Sequence, residues 1–116
     1  SDLLVYFMFV TKQGMIKKTS ADEYAHKRGK SVKAINLKEG DEVVNVMFMN
    51  EEKVGILTFN GNFVIINTDD INAIGRATSG VKAIKLEENG FVKEAKWVGD
   101  STYKITGRAV KGVKNG

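Results

Sequence analysis

The chain has 116 residues, 12 of them glycine and none proline or cysteine, with 18 Lys and Arg against 14 Asp and Glu for a net charge of +4. That length fits one domain with a core of its own. The missing cysteines exclude disulfides and thiolate metal sites and suit a reducing cytosol. No apolar run reaches the roughly 18 residues of a membrane span.

Leu3–Val10 is an apolar, aromatic and β-branched run of strand length, without the basic start or small-residue end of a signal peptide. Thr11-Lys12-Gln13-Gly14 reads as a hairpin turn and Met15–Thr19 as the returning strand. Ser20–Tyr24 suits a turn or a single helical turn. A basic stretch, His26-Lys27-Arg28-Gly29-Lys30-Ser31, leads into a strand expected over Val32–Leu37. Lys38–Asp41 reads as a turn and Glu42–Met49 as a further strand.

The same order then returns. Val54–Phe59 and Asn62–Asn67 flank Asn60-Gly61, a strong hairpin signal. Gly75-Arg76-Ala77-Thr78-Ser79-Gly80 precedes a second Val-Lys-Ala-Ile at Val81–Ile84, matching Val32–Ile35. A strand is expected over Val81–Leu86, a turn over Glu87–Gly90 and a strand over Phe91–Val98. Gly14 aligns with Gly61 at an offset of 47 and Val32 with Val81 at an offset of 49, so the chain is an internal duplication. The expectation is a single domain over 1–116, with repeat units at about 3–49 and 53–98 and a degraded remainder at 99–116. Thr102–Val113 is read as a third hairpin with Gly107 in the place of Gly61, although its Gly-Arg-Ala wording also suits the connector. No segment has a sustained 3.6-residue period. The fold class is therefore all-β, with blades of four antiparallel strands, about two blades and part of a third.

Charge is segregated. Residues 11–33 carry a net +5, 41–74 a net −5 and 75–116 a net +5. Basic character follows the glycine-rich connectors and recurs at matched repeat positions: Lys27, Arg76 and Arg108, then Lys33 and Lys82. A lysine-rich loop is most often a solvated face, but cations repeated along a surface also suit the regular phosphates of a duplex. Such contacts position DNA without reading bases. The candidate DNA-binding residues are Lys17, Lys18, Lys27, Arg28, Lys30, Lys33, Arg76, Lys82 and Lys85, with Arg108 and Lys111 behind them.

Other chemistry lacks support. Gly75–Gly80 is followed by Val81-Lys82 where a nucleotide-binding P-loop needs Lys then Ser or Thr. His26 is the single histidine, so no multi-histidine metal site exists. Asp69-Asp70 and Glu51-Glu52 are adjacent pairs in expected turns, unsuited to paired-carboxylate catalysis. Trp97 and the Phe residues sit at strand positions and are read as core. Neither catalysis nor a cofactor is expected.

Tyr24 followed by a basic, glycine-containing connector and then Val-Lys-Ala-Ile-x-Leu-x-Glu-Gly-Asp resembles the C-terminal domain of the A subunits of bacterial DNA gyrase and topoisomerase IV. So does Gly75–Ile84, and the similarity runs over about residues 3–98. The resemblance implies a β-pinwheel whose four-stranded blades exchange strands and whose basic outer face bends duplex DNA. It also implies a non-catalytic accessory domain of an ATP-dependent topoisomerase, in the bacterial cytoplasm with the nucleoid, with duplex DNA and the rest of the subunit or neighbouring blades as partners. The gyrase hallmark box, Gln-Arg-Arg-Gly-Gly-Arg/Lys-Gly, is matched only by His26–Ser31, which keeps the cations and one glycine. That departure suits a later blade or a topoisomerase IV-like subunit. The competing expectation is a protein-interaction module that docks or forms a homodimer through exposed blade edges.

Overall fold

The computed structural model describes residues 5–25, 29–49, 52–99 and 103–114. They form two four-stranded antiparallel sheets, the two blades. In the first, β1 (Tyr6–Thr11) and β2 (Met15–Ser20) make a hairpin in register Phe9 to Lys17 and Val10 to Ile16. The single helical turn α1 (Asp22–Ala25) follows it, and β3 (Val43–Phe48) pairs with the far side of β1. The second sheet repeats this with β4 (Lys53–Thr58), β5 (Asn62–Asn67) and β7 (Val92–Trp97). A 3-10 turn at Thr68–Asp70 stands where α1 stood. Even the irregularities repeat: the first sheet's register shifts at Val10/Thr11 and the second's at Leu57/Thr58, positions related by the same offset as the two hairpins.

The fourth strand of each blade comes from further along the chain. β6 (Val81–Lys82), in the second unit's connector, pairs with Met15 and Ile16 of the first hairpin. β8 (Val113–Lys114) pairs with Asn62 and Phe63 of the second. Neighbouring units therefore exchange strands. This arrangement corrects three expectations. Val32–Leu37 is not a strand, because a connector pairs with the hairpin of the preceding unit, and among the described residues no unit precedes this one. The second connector's strand covers only Val81–Lys82; beyond it Ala83 still donates to the Gly14 carbonyl and Ile84 bridges to Val110, with both side chains in the core. The hairpin expected over Thr102–Val113, whose first residue lies outside the described residues, is not formed by residues 103–113: Gly112-Val113-Lys114 takes the place that Gly80-Val81-Lys82 takes in the preceding blade. The connector wording prevailed because β5 presents the same open edge as β2.

The blades stack face to face. Side chains alternate across a strand, so Met8, Val10, Ile16 and Met47 leave the first blade on one side and meet Val54, Ile56, Val64, Ile66, Val92 and Ala95 of the second. Ile71, Ala83 and Ile84 close the gap. Each fully buried aliphatic contributes about 1.5–3 kcal/mol. The faces in contact are not equivalent. Ile56 and Val64 are the repeat counterparts of Phe9 and Lys17, which lie on the first blade's other side. One blade's front therefore packs on the next blade's back. Trp97 packs at the margin of this core, whereas Phe48, Phe59 and Phe91 are exposed, contrary to the expectation that every aromatic is core. Among the described residues, no helix is long and apolar enough to cross a membrane.

Candidate nucleic-acid interface

Strand exchange lays three glycine-rich connectors side by side: residues 29–37, 75–86 and 107–114. The Asn36 N–H donates to the Thr78 carbonyl at 2.9 Å, joining the first to the second. The Lys85 N–H donates to Val110 O at 2.7 Å and the Ala109 N–H to Ala83 O at 2.8 Å, joining the second to the third. A single ladder of backbone results, and it carries cations at matched places.

The repeated arginines hold this ladder in register. Arg76 Nη1 donates to the Lys33 carbonyl at 2.6 Å, and Arg108 Nη1 donates to the Lys82 carbonyl at 2.9 Å. Each arginine thus grips the lysine of the Val-Lys-Ala-Ile motif in the connector before it. One guanidinium N–H of each is occupied in this way, and the planar fork leaves further donors for a ligand. The recurrence that sequence reasoning took as a surface signal is also a structural joint.

Residues 6–48 and 56–96 match the family model described as "DNA gyrase C-terminal domain, beta-propeller". The chain belongs to this family. The DNA gyrase A subunit of Helicobacter pylori (strain J99 / ATCC 700824) is 38% identical over 100 residues, which is 84% of this chain and 12% of that protein. The DNA topoisomerase 4 A subunit of Bacillus subtilis (strain 168) is 38% identical over 93 residues, 78% of this chain and 12% of that protein. The chain thus spans a small part of the curated relatives it matches. Among solved structures, the C-terminal domain of DNA topoisomerase IV superposes with a TM-score of 0.89 at 26% identity, over 97% of this chain and 42% of that one. The DNA gyrase A C-terminal domain shares the fold, with a TM-score of 0.78 at 21% identity over 97% of this chain and 45% of that one.

Within this gyrase-family fold, the eleven sequence-predicted cations separate by environment. Lys30, Lys82 and Lys85 are exposed, and their ammonium groups make no hydrogen bond or ion pair among the described residues. Lys33 is exposed, with Nζ 3.5 Å from Asn36 Oδ1. Arg76 is half-buried and Arg108 exposed, each with one N–H committed as above. Lys111 is exposed and pairs with Glu87 at 3.2 Å, and its ammonium holds the Glu87 carboxyl below the usual carboxylate range. Lys114, which sequence reasoning passed over, sits on the same connector with Nζ on the Asn60 carbonyl at 3.0 Å. Its place as the third copy of Lys33 and Lys82 was the available signal. Lys27 and Arg28 lie outside the described residues.

Two of the eleven point elsewhere. Lys18 is half-buried, its ammonium on the Thr68 carbonyl at 3.2 Å and 5.2 Å from the centre of the Tyr6 ring. Lys17 is fully buried, and its ammonium donates to Ala34 O at 2.9 Å, Arg76 O at 2.5 Å and Gly75 O at 3.4 Å. A side chain so enclosed reaches no phosphate, and Lys17 leaves the set of surface candidates.

Burial pulls the Lys17 ammonium down to about 8, against a partial lift from Glu23 and a further lowering by Arg76. A folded-state value below the ordinary one means the folded chain holds fewer protons than the unfolded chain between that value and about 10.5. Stability from this residue therefore rises as pH climbs through that window and is lost as pH falls through about 8. Urea titrations of the wild type and Lys17→Met at pH 7 and pH 9.5 check the sign. The wild type should gain on the variant at the higher pH.

Among the described residues, no group of three or more histidines, cysteines or carboxylates is placed to hold a metal ion.

Proposed function

We propose that the connector ladder is a duplex-DNA-binding surface without sequence preference, through which this domain supports DNA topology change by the full A subunit of a topoisomerase. The carrying observation is the lateral joining of three connectors, because it turns scattered cations into a continuous basic strip. Lys30, Lys33, Arg76, Lys82, Lys85, Arg108 and Lys111 are its members, with Lys114 added. No exposed aromatic is needed: a backbone-tracking surface works by displacing counterions, and its contacts set position without reading bases. Catalysis is assigned to other parts of the full-length protein. The partners are double-stranded DNA and the remaining blades, in the bacterial cytoplasm with the nucleoid.

A second reading, docking or self-association of the open blade, draws on Val46 and Phe48 of the edge strand β3, which are 46% and 61% exposed. Titrating a short labelled duplex across a salt series, with the oligomeric state recorded in the same buffers, separates the two. The DNA reading expects log Kd to rise linearly with log salt, with a slope near 4 for about four to five phosphate contacts, and alike on unrelated duplexes. Absence of binding at low salt together with a stable dimer would overturn it in favour of the edge.

A further inference from the structure

Lys17 sits at a repeat position that is apolar in the other blade. Its counterpart is Val64, buried in the core between the sheets. In the first blade the same position faces away from that core, 5.0 Å from the centre of the Phe9 ring. Its ammonium gathers carbonyls from two different connectors: Ala34 from the first, Gly75 and Arg76 from the second. The Tyr24 hydroxyl donates to the same Ala34 oxygen at 2.9 Å, and Glu23 Oε1 accepts the Arg76 N–H at 3.0 Å. The hairpin and α1 therefore reach up under the crossing of the connectors and bind both.

On the solvent side, the Arg76 guanidinium holds the Lys33 carbonyl. Lys33 and Ala34 are consecutive, so their backbone is gripped from below by Lys17 and from above by Arg76. At the next crossing Arg108 grips Lys82 from outside, but among the described residues no ammonium reaches it from below, because Val64 offers no donor. An ammonium has three N–H donors and three carbonyls converge on this one, so its hydrogen-bonding capacity is met without solvent. At neutral pH it stays charged, and bonds of this charge-assisted kind exceed ordinary ones in strength.

We propose that Lys17 is a positioning residue for the basic strip: it contacts no DNA, but fixes the first two connectors relative to each other so that Lys33 and Arg76 are presented to one phosphate backbone. The functional half of this rests on the DNA reading above; the structural half does not. Three features single out this residue: its total burial, its contact with two connectors at once, and the loss of the donor at the equivalent place in the other blade.

Lys17→Met tests it. Val64 shows that the repeat accepts an apolar side chain at this position, so the variant is expected to fold. Amide exchange reads the structural half. The Asn36 amide, which bonds to Thr78 across the crossing, and the Arg76 amide, which bonds to Glu23 of α1 beneath it, should exchange about tenfold faster, while Met8 and Val64 in the core stay within about twofold. Unchanged exchange at Asn36 and Arg76 overturns the clamp whatever DNA does. Duplex binding reads the functional half. Kd should rise about tenfold, and Lys33→Met should add almost nothing in the Lys17→Met background though it weakens binding on its own. Full additivity of the two substitutions overturns the positioning role, since a general loss of stability has no reason to silence Lys33 in particular. Should the wild type bind no duplex at all, the DNA reading fails and amide exchange alone decides the clamp.

Discussion

Gly80→Ala is expected to cost at least about 3 kcal/mol and to prevent the first blade from closing. Two effects combine at this residue. Its φ is +88°, a region L side chains adopt only at a cost of roughly 1–2 kcal/mol. Its Cα also crosses directly over β2, where an added Cβ would press into the Ile16 carbonyl and lie 2.9 Å from both the Ile16 carbonyl carbon and Lys17 Cβ. Those atoms belong to a paired strand and cannot step aside without breaking the Met15–Lys82 and Ile16–Val81 register. Gly61→Ala separates the two effects. Gly61 has φ of +89° at a hairpin tip with nothing within 4 Å of a built Cβ, so it bears the conformational cost alone. Urea unfolding of both variants should place Gly80→Ala well below Gly61→Ala. Equal losses would mean that the crossing has room and that φ alone selects glycine. Gly112, with φ of +86° over the Phe63 carbonyl, should behave as Gly80 does.

That crossing also explains what was legible in the sequence. The hairpins were readable because each is local: an apolar run, a glycine turn and an apolar return, with Gly14 and Gly61 both at φ of +89°. The lengths and partners of the exchanged strands were not: a strand was expected over Val81–Leu86, but Val81–Lys82 and Val113–Lys114 are two residues long and pair with partners far back in the chain. Periodicity cannot register an element that short. The glycine before each was the usable signal. Gly80 and Gly112 take the same pose over a carbonyl, while the matching place in the first connector is Ser31, and that connector pairs with no hairpin among the described residues. Charge misled in a different way. Lys17 and Lys18 are neighbours in sequence, and strand alternation predicts only that they face opposite ways. Lys17 runs under the connectors and Lys18 toward Thr68 and Tyr6, so both are consumed by backbone carbonyls that the sequence gives no means of locating.

Reversing Lys33, Lys82 and Lys85 to Glu together should weaken duplex binding by at least about 100-fold at 0.1 M salt and lower the salt slope by nearly 3. These three are chosen because their ammonium groups are exposed and hold no backbone in place, so each substitution should cost less than about 0.5 kcal/mol of stability. Arg76 and Arg108 would be poorer probes, since removing either also frees the Lys33 or Lys82 carbonyl and loosens the ladder. The matched control is Lys93→Glu. Lys93 is also exposed but lies on β7, at the opposite edge of the second sheet from the connector strand β8. It should change Kd by less than about twofold, a long-range effect that screening removes beyond about 10 Å. If Lys93→Glu weakens binding as much per charge as the ladder residues do, the field of the whole basic chain attracts DNA and the strip has no special part in it. If only the ladder residues matter, and matter equally on unrelated duplexes, then three connectors joined edge to edge carry the contact. The exchange of strands between blades then serves as the means of bringing their cations into line.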